Sequence, residues 1–592
     1  MNVLSQNIQM GDSQSSKLNP LLRFFRLMQL DKKEIYYIYI YSILSGLIAL
    51  VLPLGIQAII GLIAGGSLSA SLFVLIAVVT IASSMTGVFR VLQLVMTETI
   101  QRRIFARASI DFSYRLPRFE MKNIHLHYPP ELVNRFFDTV TLQKGIPKLL
   151  IDFTTAVLQI FFGLLLISFY HPFFVFLSIL MVTVFLVIFR FTGMKGLVTS
   201  IKESSWKYNV AHWLEEVART MGSFKLNGNP EFSLNKTDKL VSEYLDKRND
   251  HFKVLKTQYI IIVIFKTVFT ASLLILGSIL VINNQINIGQ FVAAEIIVIL
   301  VLASVEKLIL SMDTIYDVLT AVDKLGVVTD IPLEIDEGID AKEVGFDQNG
   351  INLHFKNLSY QYPGANVPSL KNISFELKSG EKVCIAGYNG SGKSTFLKII
   401  SGLYLDFTGN IFYNGVPQNA IKISSLREKI GDYTSDEDIF EGTIIENITM
   451  GRQGVTQKEV MDTIQICKLE EFIKNQNAGL QTFLLPNGRN IPGSVRAKIL
   501  LARGIVCKPK LLVLAGFFGG IERKEENEII RMITQGDQNW SLIAVSDNPF
   551  FAESCDRVII LKEGQIIEND TFEKIKSSPH FNKVFRSIET ES

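Results

Sequence analysis

The stretch from Gly387 to Thr395 carries residue types at a spacing that suits the binding of phosphate groups. It reads Gly-Tyr-Asn-Gly-Ser-Gly-Lys-Ser-Thr and matches the pattern G-x-x-x-x-G-K-[ST] in full. In such a loop the backbone N–H groups close around phosphate oxygens, the lysine reaches the outer phosphates and the next hydroxyl ligates Mg²⁺. We therefore predict that ATP binds here, with Ser394 as the metal ligand. The predicted contacts are Gly387, Asn389, Gly390, Ser391, Gly392, Lys393, Ser394 and Thr395.

The residues on either side of the loop supply the elements that must position it. A strand-like run, Lys382–Ala386, precedes the loop, and a helix-like run, Phe396–Ile400, follows it. The N-terminus of that helix would add positive potential at the phosphates. From Ile351 to the end of the chain, short apolar strands alternate with helices, which predicts an α/β nucleotide-binding domain over 351–592.

Composition indicates a membrane protein of more than one domain. The chain has 592 residues, which is too many for a single core. Hydrophobic residues make up 48% of it, a high fraction for a soluble protein. The net charge of +2 argues against a nucleic-acid partner. All four cysteines follow residue 380 at spacings unlike a zinc site or redox pair, and are expected to be small buried hydrophobes. They are Cys384, Cys467, Cys507 and Cys555.

Six apolar runs in the first half are each near the length that spans a bilayer, about 20 residues. They cover residues 35–60, 68–96, 148–170, 172–194, 257–282 and 289–311. We assign residues 35–323 to a transmembrane domain and residues 324–350, which are acidic and lack apolar periodicity, to a linker. Residues 1–34 form a polar tail and, over 21–28, a helix that either lies on the inner leaflet or acts as an ordinary cytosolic cap.

Loop charge predicts the orientation of the spans. The short links near 61–67, 171–172 and 283–289 carry no Lys or Arg, whereas the long links are basic. The positive-inside rule places the long links, the nucleotide-binding domain and both termini in the cytoplasm of a multi-pass inner (plasma) membrane protein. Each long link reads as helix, so spans 2–3 and 4–5 are predicted to continue well beyond the lipid.

Ionisable residues inside the spans are costly in lipid and point to specific partners. Counted from the turn at 283–284, Lys266 and Glu306 reach a similar depth on neighbouring helices, and we expect them to pair. Glu295 lies nearer the midplane with no evident mate. It either faces a substrate cavity or is a protonated or packed residue without a transport role.

Six spans with long links, followed by one phosphate-loop domain, resemble a half-size ABC exporter over nearly the whole chain. The segments Leu132–Phe136 and Ile288–Ala294 are most similar to the type I secretion, hemolysin-exporter-like branch. Many members of that branch carry an N-terminal peptidase-like domain. Only about thirty residues precede the first span here, so we expect that domain and leader-peptide cleavage to be absent. The resemblance implies a second ABC half-subunit in a homo- or heterodimer, a periplasmic adaptor, lipid contact and no nucleic acid.

The same resemblance assigns family motifs, several of which are altered. Tyr362 matches the aromatic residue that stacks on adenine, although a core tyrosine is the alternative. The glutamine that senses Mg²⁺ is replaced by Ser435, counted back from Phe440–Ile444. The signature Leu-Ser-Gly-Gly-Gln reads Ile491–Val495, with Pro492 removing an N–H at the helix start.

The residues that should perform hydrolysis are also replaced. After the apolar strand Leu511–Leu514, the expected Asp and Glu are Ala515 and Gly516, which can neither orient Mg²⁺ nor polarise water. The switch histidine corresponds to Asp547, because His580 in the C-terminal tail is the only histidine after Lys393. Where the family next has Ser-Ala-Leu-Asp, this chain has Gly-Gly-Ile-Glu at Gly519–Glu522. We assign no catalytic residue, and expect Glu522 and Glu525 to be structural.

Three functions follow from this pattern. The chain is predicted to be an ATP-binding half-subunit of an export system that is impaired in ATP hydrolysis. One alternative is a nucleotide-sensing membrane regulator that moves no substrate. The other is an active peptide or protein secretion ATPase whose catalytic residues lie elsewhere in the sequence.

Overall fold

The structure, a computed structural model, describes residues 19–64, 70–124, 128–345, 350–433, 438–516, 520–535 and 538–585. The chain divides into two compact units, with boundaries after Phe119, Leu126 and Pro332. Residues 120–126 thus belong to the second unit, although they lie between helices of the first.

The first unit is helical, as the six-span prediction requires. Up to Thr329 the α-helices are α1 (Pro20–Gln29), α2 (Lys32–Ala49), α3 (Val51–Ala64), α4 (Ala70–Arg115), α5 (Met121–Ile124, in the second unit), α6 (Pro129–Asn134), α7 (Asp138–Lys148), α8 (Thr154–Ser168), α9 (Pro172–Arg219), α10 (Met221–Leu226), α11 (Pro230–Ile282) and α12 (Ile288–Thr329). A π-helical turn, Leu149–Phe153, joins α7 to α8.

Within the described residues, six helical stretches are long and apolar enough to cross a membrane, which confirms the predicted number of spans. They are Lys32–Ala64, Ala70–Arg118, Pro129–Ser168, Pro172–Arg219, Pro230–Ile282 and Ile288–Thr329. At 1.5 Å per residue, α4, α9 and α11 are each roughly 70–80 Å long, more than twice the hydrocarbon thickness of about 30 Å. The helices therefore run far past the spans, as the helical character of the long links predicts.

The predicted ion pair between two spans is present. Lys266 Nζ on α11 lies 2.5 Å from Glu306 Oε2 on α12. Glu295, about three turns nearer the start of α12 than Glu306, is half-buried and makes no hydrogen bond or ion pair with any residue that the structure describes. Its two alternative roles are therefore not decided by a direct contact.

Replacing Lys266 with methionine is expected to destabilise the first unit, because Glu306 would be left without its cation in an apolar bundle. An uncompensated charge in a span costs about 2–3 kcal/mol. The measurement is thermal unfolding of the purified chain in detergent. The double variant Lys266→Met/Glu306→Leu should recover most of the lost stability, because no buried charge remains. An equal loss in single and double variants would contradict the pairing.

Helix α1 forms where an interfacial or capping helix is predicted. The side chain of Asn19 accepts a hydrogen bond from Leu21 N and caps its first turn. Leu22 and Phe25 are exposed, and Arg23 forms a two-point ion pair with Asp330 after α12. The helix is thus attached to the first unit through its basic side, while its placement at a lipid surface stays a prediction.

The second unit contains two main sheets. Its strands are β1 (Leu353–Tyr360), β2 (Leu370–Leu377), β3 (Lys382–Gly387), β4 (Thr408–Tyr413), β5 (Val416–Pro417), β6 (Ile430–Tyr433), β7 (Gly442–Thr443), β8 (Phe483–Leu484), β9 (Leu511–Ala515), β10 (Ser541–Val545), β11 (Arg557–Lys562) and β12 (Gln565–Asp570). One sheet has the order β12-β11-β3-β10-β9-β6 and is parallel except at β12. The other, β2-β1-β4-β5, is antiparallel.

Helices flank these strands in the α/β alternation that the sequence predicts. They are α13 (Lys393–Ile400), α14 (Ile423–Arg427), α15 (Ile444–Thr449), α16 (Gln457–Ile466), α17 (Glu470–Lys474), α18 (Gly493–Ile505), α19 (Arg523–Thr534), α20 (Pro549–Glu553), α21 (Phe572–Lys576) and α22 (Phe581–Val584). The central strand β3 is buried from Val383 to Ala386. Buried parallel strands read as continuous apolar runs, which is why the sequence shows them clearly.

The predicted linker differs from the structure at its beginning. Residues 324–329 continue α12, because Lys324, Gly326 and Val328 are buried on that helix. Beyond Pro332 the acidic residues are anchored to the second unit: Glu334 forms a two-point ion pair with Arg427. Acidic composition here reflects specific pairing rather than a solvated chain.

The segment Glu120–Ile124 also differs from the predicted domain boundaries, which placed it in the transmembrane domain. Met121 packs against the core of the antiparallel sheet, and Lys122 Nζ lies 3.8 Å from the carboxylate of Asp406. Apolar packing and charge pairing within the second unit explain the grouping.

The cysteines of the second unit are free, as expected, and three are buried. Cys384 lies on β3 directly behind the phosphate loop, and burial raises the pKa of its thiol to about 12. The thiol therefore stays protonated near neutral pH and unreactive.

Candidate functional site

The phosphate loop joins β3 to α13 in a backbone conformation that needs glycine. Gly392 has φ +93° and immediately precedes α13. A Cβ atom on Gly392 would lie 2.4 Å from Ser369 O, and one on Gly387 would lie 2.3 Å from Leu561 O. No side chain fits at these contacts, so the two glycines keep the cradle open for phosphate oxygens. The loop thus combines the phosphate-binding pattern with the strand and helix that such a loop requires on either side.

Lys393 is held at the mouth of this cradle. Its Nζ donates to the carbonyl oxygens of Gly387 and Tyr388, both at 2.7 Å. Burial lowers the pKa of Lys393, and the nearby carboxylate of Asp547 opposes that shift. The ammonium is thus positioned by the loop itself, beside an acidic group that the sequence placed at the switch position.

Tyr388, the second residue of the loop, contacts a histidine from the C-terminal tail. Its hydroxyl lies 2.9 Å from His580 Nδ1, and Nε2 of that imidazole lies 3.9 Å from Glu568 Oε1. The sequence places His580 in the C-terminal tail and gives it no role at the phosphate loop. Tyr388 and His580 are far apart in the sequence, and no local pattern links them. In the structure, Glu568 and Tyr388 together hold the His580 imidazole beside the loop.

Tyr362 lies beside the first turn of α13. Its hydroxyl is 3.0 Å from Thr395 Oγ1. Its ring makes edge contacts with Tyr360 and Tyr404 at centroid distances of 5.1 and 5.6 Å. The half-buried ring therefore contributes to an aromatic cluster next to the phosphate loop, and its stacking on a base stays a prediction.

The strand register shows which residues stand at the end of the sheet beside the loop. Strand β10 lies between β3 and β9, and Val545 is level with both Ile385 and Ala515. Ligands of open α/β sheets bind at the carboxyl ends of the parallel strands. Ala515 thus occupies that edge with a methyl group, and the next residue, Gly516, has φ +57° and donates its N–H to Val545 O.

Acidic residues begin again at Glu522, which directly precedes α19 and is exposed. Glu525 is held in an ion pair with Lys498. Glu526 is buried and accepts a 2.6 Å hydrogen bond from Asn548 Nδ2. The ion pair of Glu525 supports the structural role expected of it, and the role of Glu522 stays a prediction. Ser435 and Gly519 lie outside the described residues.

Helix α18 begins at the altered signature segment. Pro492 precedes its first residue, Gly493, without a side-chain cap. Val495 is buried, where the family pattern has a polar end. The helix is secured further along by Arg503, whose guanidinium donates to Asn447 O at 2.9 Å and Asp438 O at 3.2 Å. At its N-terminus, α18 therefore offers an anion fewer backbone N–H donors than an ordinary helix does, because Pro492 has none.

Mg²⁺ is the metal that a phosphate loop of this kind implies. Ser394, in the first turn of α13, is exposed and offers a hydroxyl ligand. Mg²⁺ in nucleotide sites is held by one or two protein groups and the phosphates. At the end of β9 the apolar Ala515 supplies no second ligand, and no set of three or more metal-ligating acidic, His or Cys side chains occurs within the described ranges.

Comparison with known families identifies two regions of the chain. A family model of the ABC transporter transmembrane region matches residues 35–305, and the ABC transporter model matches residues 370–515. The chain belongs to the ABC transporter family. It has the make-up of a half-size ABC exporter, a multi-pass membrane domain followed by a nucleotide-binding domain, which confirms the predicted fold class.

Relatives in the ABC transporter family are distant. The alpha-hemolysin translocation ATP-binding protein HlyB of Proteus vulgaris is 27% identical over 305 residues, which cover 51% of this chain and 42% of HlyB. The ATP-dependent lipid A-core flippase of Neisseria meningitidis is 26% identical over 306 residues, or 52% of this chain and 49% of the flippase. This ABC chain is thus matched over about half the length of the curated relatives.

A solved structure is similar over more of the ABC chain. A bacterial Atm1-family ABC exporter with ATP bound has a TM-score of 0.78 and covers 92% of this chain and 96% of its own, at 17% identity. The similarity shows a shared ABC exporter fold.

Proposed function

We propose that this chain is an ATP-binding half-subunit of an export system in the inner membrane and that its own phosphate loop holds ATP without hydrolysing it at a useful rate. The proposal rests on the strand register that puts Ala515 at the sheet edge beside the loop. An intact cradle and Lys393 support binding. A methyl group and a glycine at the end of β9 support the loss of hydrolysis.

The size of the effect follows from the groups that are replaced. A positioned general base contributes about 10²–10⁴ in rate. Loss of metal orientation and of the γ-phosphate contact from a switch histidine compounds this deficit, although not additively. The three replacements together lower the predicted turnover below that of a competent ABC ATPase by at least the upper end of this range.

Steady-state phosphate release from the purified chain tests this proposal. The native chain is expected to release phosphate at the rate of Lys393→Ala, while binding ATP about 10–100-fold more tightly, since a charge-assisted hydrogen bond contributes about 1.5–3 kcal/mol. Lys378→Ala is the matched control, because Lys378 is exposed at the other end of β3. Turnover clearly above the Lys393→Ala rate would contradict the proposal.

ABC nucleotide-binding domains act in head-to-tail pairs, so this half-subunit requires a second one. In a heterodimer a competent partner would hydrolyse ATP, and this chain would contribute a standing ATP and half of the translocation path. In a homodimer, ATP binding could still favour the closed state, since a ligand shifts an equilibrium by its differential affinity. Co-purification of the tagged chain under native expression separates the two: a second ABC polypeptide indicates a heterodimer.

A non-transporting, nucleotide-sensing role is the second candidate. It is favoured by the fact that both halves of a composite site are altered, Ala515 near the phosphates and Pro492 at the signature helix. ATP-dependent movement of cargo in reconstituted vesicles separates the candidates. The names of the hemolysin-translocating relatives support a polypeptide cargo, and the family resemblance implies a periplasmic adaptor.

A further inference from the structure

An acidic residue follows the strand next to the one that leads into the phosphate loop, at the carboxyl edge of the sheet, where ligands of open α/β sheets bind. Asp547 follows β10 by two residues, and β10 is the strand between β3, which leads into the phosphate loop, and β9, which ends at Ala515. A carboxylate next to a triphosphate is repulsive unless a cation lies between them. Its presence beside an intact phosphate loop therefore needs a chemical explanation.

The backbone around Asp547 is fixed on both sides. Ser546 N donates to Ile385 O at 3.2 Å, which ties the segment to β3. Asn548 donates from N to Ser546 Oγ at 3.1 Å and from Nδ2 to the buried Glu526 at 2.6 Å. Asp547 itself is exposed between these anchors. The backbone that carries this carboxylate is therefore fixed in position, while the side chain is open to solvent and to a ligand.

The position also compensates for the missing group at Ala515. Neighbouring strands lie about 4.8 Å apart, so the end of β10 is displaced by one strand spacing from the end of β9. The residue before Asp547 is bonded to Ile385, which stands two positions before Gly387, the first residue of the phosphate loop that ends at Ser394 and Thr395. One hydroxyl, one carboxylate and the phosphate oxygens form a donor set that suits Mg²⁺.

We propose that Asp547 ligates the Mg²⁺ of bound ATP, directly or through one water, in place of the carboxylate missing at Ala515. The inference rests on the proposed binding of ATP at this loop but not on the proposed loss of hydrolysis. Asp547, two residues beyond β10, holds the metal but does not act as a base toward the attacking water. The site therefore keeps metal-dependent ATP binding without hydrolysis.

The test is the affinity of the full-length chain for a non-hydrolysable ATP analogue, measured with Mg²⁺ and with EDTA. Native protein is expected to bind the Mg²⁺ complex at least about ten-fold more tightly than the free analogue. Asp547→Asn should weaken binding of the complex by about ten-fold, as for other groups that hold a metal, and tighten binding of the metal-free analogue. Asp462→Asn, an exposed acid on α16, is the control for the loss of one charge.

Mn²⁺ bound with the same analogue gives a second readout, because its electron paramagnetic resonance signal reports metal binding directly. Asp547→Asn is expected to raise the dissociation constant of Mn²⁺ by about ten-fold without lowering the melting temperature of the protein. Equal tightening of the analogue with and without metal would overturn the inference, since it would show that the carboxylate only repels phosphate. Unchanged affinities would overturn it too.

These outcomes separate the inference from the proposed function. Failure of the native chain to bind any nucleotide overturns both. Rapid phosphate release from a chain in which Asp547→Asn still alters the metal dependence overturns only the proposed loss of hydrolysis.

Discussion

Gly392→Ala is expected to weaken ATP binding roughly a hundred-fold more than Gly390→Ala does. Both glycines have left-handed backbone angles, φ +93° and +74°, so an alanine at either position costs about 1–2 kcal/mol. The two differ in their surroundings. A Cβ on Gly392 would meet Ser369 O at 2.4 Å, and one on Gly390 meets nothing within 4 Å.

The backbone carbonyl at Ser369 cannot move aside as a flexible side chain would, so Gly392→Ala must displace the loop. An added strain of about 3 kcal/mol corresponds to roughly a hundred-fold loss of affinity. Isothermal titration with MgATP and thermal unfolding of both variants make the measurement. Similar affinities for the two variants would contradict the loop geometry described above.

The parts of the structure that the sequence predicts well are those defined by residues close together in the chain. The phosphate loop is contiguous, so its nine residues, its strand and its helix can be identified without tertiary information. The spans are predictable because lipid requires long apolar helices. The pair of Lys266 and Glu306 was predictable as well, because two antiparallel helices joined by a short turn place residues at matched depths.

Contacts between distant segments could not be predicted. His580 meets Tyr388, which is separated from it by 192 positions, and neither residue stands in a pattern that names the other. In the sequence, Met121 lies between segments of the first unit, yet the residues that it packs against belong to the second unit. Asp336 looked like a linker residue by composition, but its carboxylate accepts hydrogen bonds from N and Oγ of Ser424.

The altered site lies between these cases. Flanking motifs predicted that Ala515 would stand at the end of its strand, and the pairing with Val545 agrees with that register. The conformation of Gly516, with φ +57°, was not predictable, because glycine adopts positive and negative φ about equally readily. Restoring a glutamate at Gly516 would force a side chain into a left-handed backbone conformation.

Bound ATP is expected to persist in this chain for far longer than in a competent ABC ATPase. The median enzyme turns over at about 10 per second, and loss of the base and metal carboxylates lowers the rate by about 10⁴ or more. We therefore expect half-conversion of bound ATP to take longer than about ten minutes at 25 °C.

The chemical identity of the bound nucleotide tests this most directly. The purified chain is loaded with MgATP, freed of excess nucleotide and quenched in acid over an hour, and the released nucleotides are separated, with Lys393→Ala as the control for contaminating ATPases. The native chain is predicted to release ATP at early and intermediate times. Conversion of the bound ATP to ADP within seconds, absent from the control, would contradict the claim that this site holds ATP without splitting it.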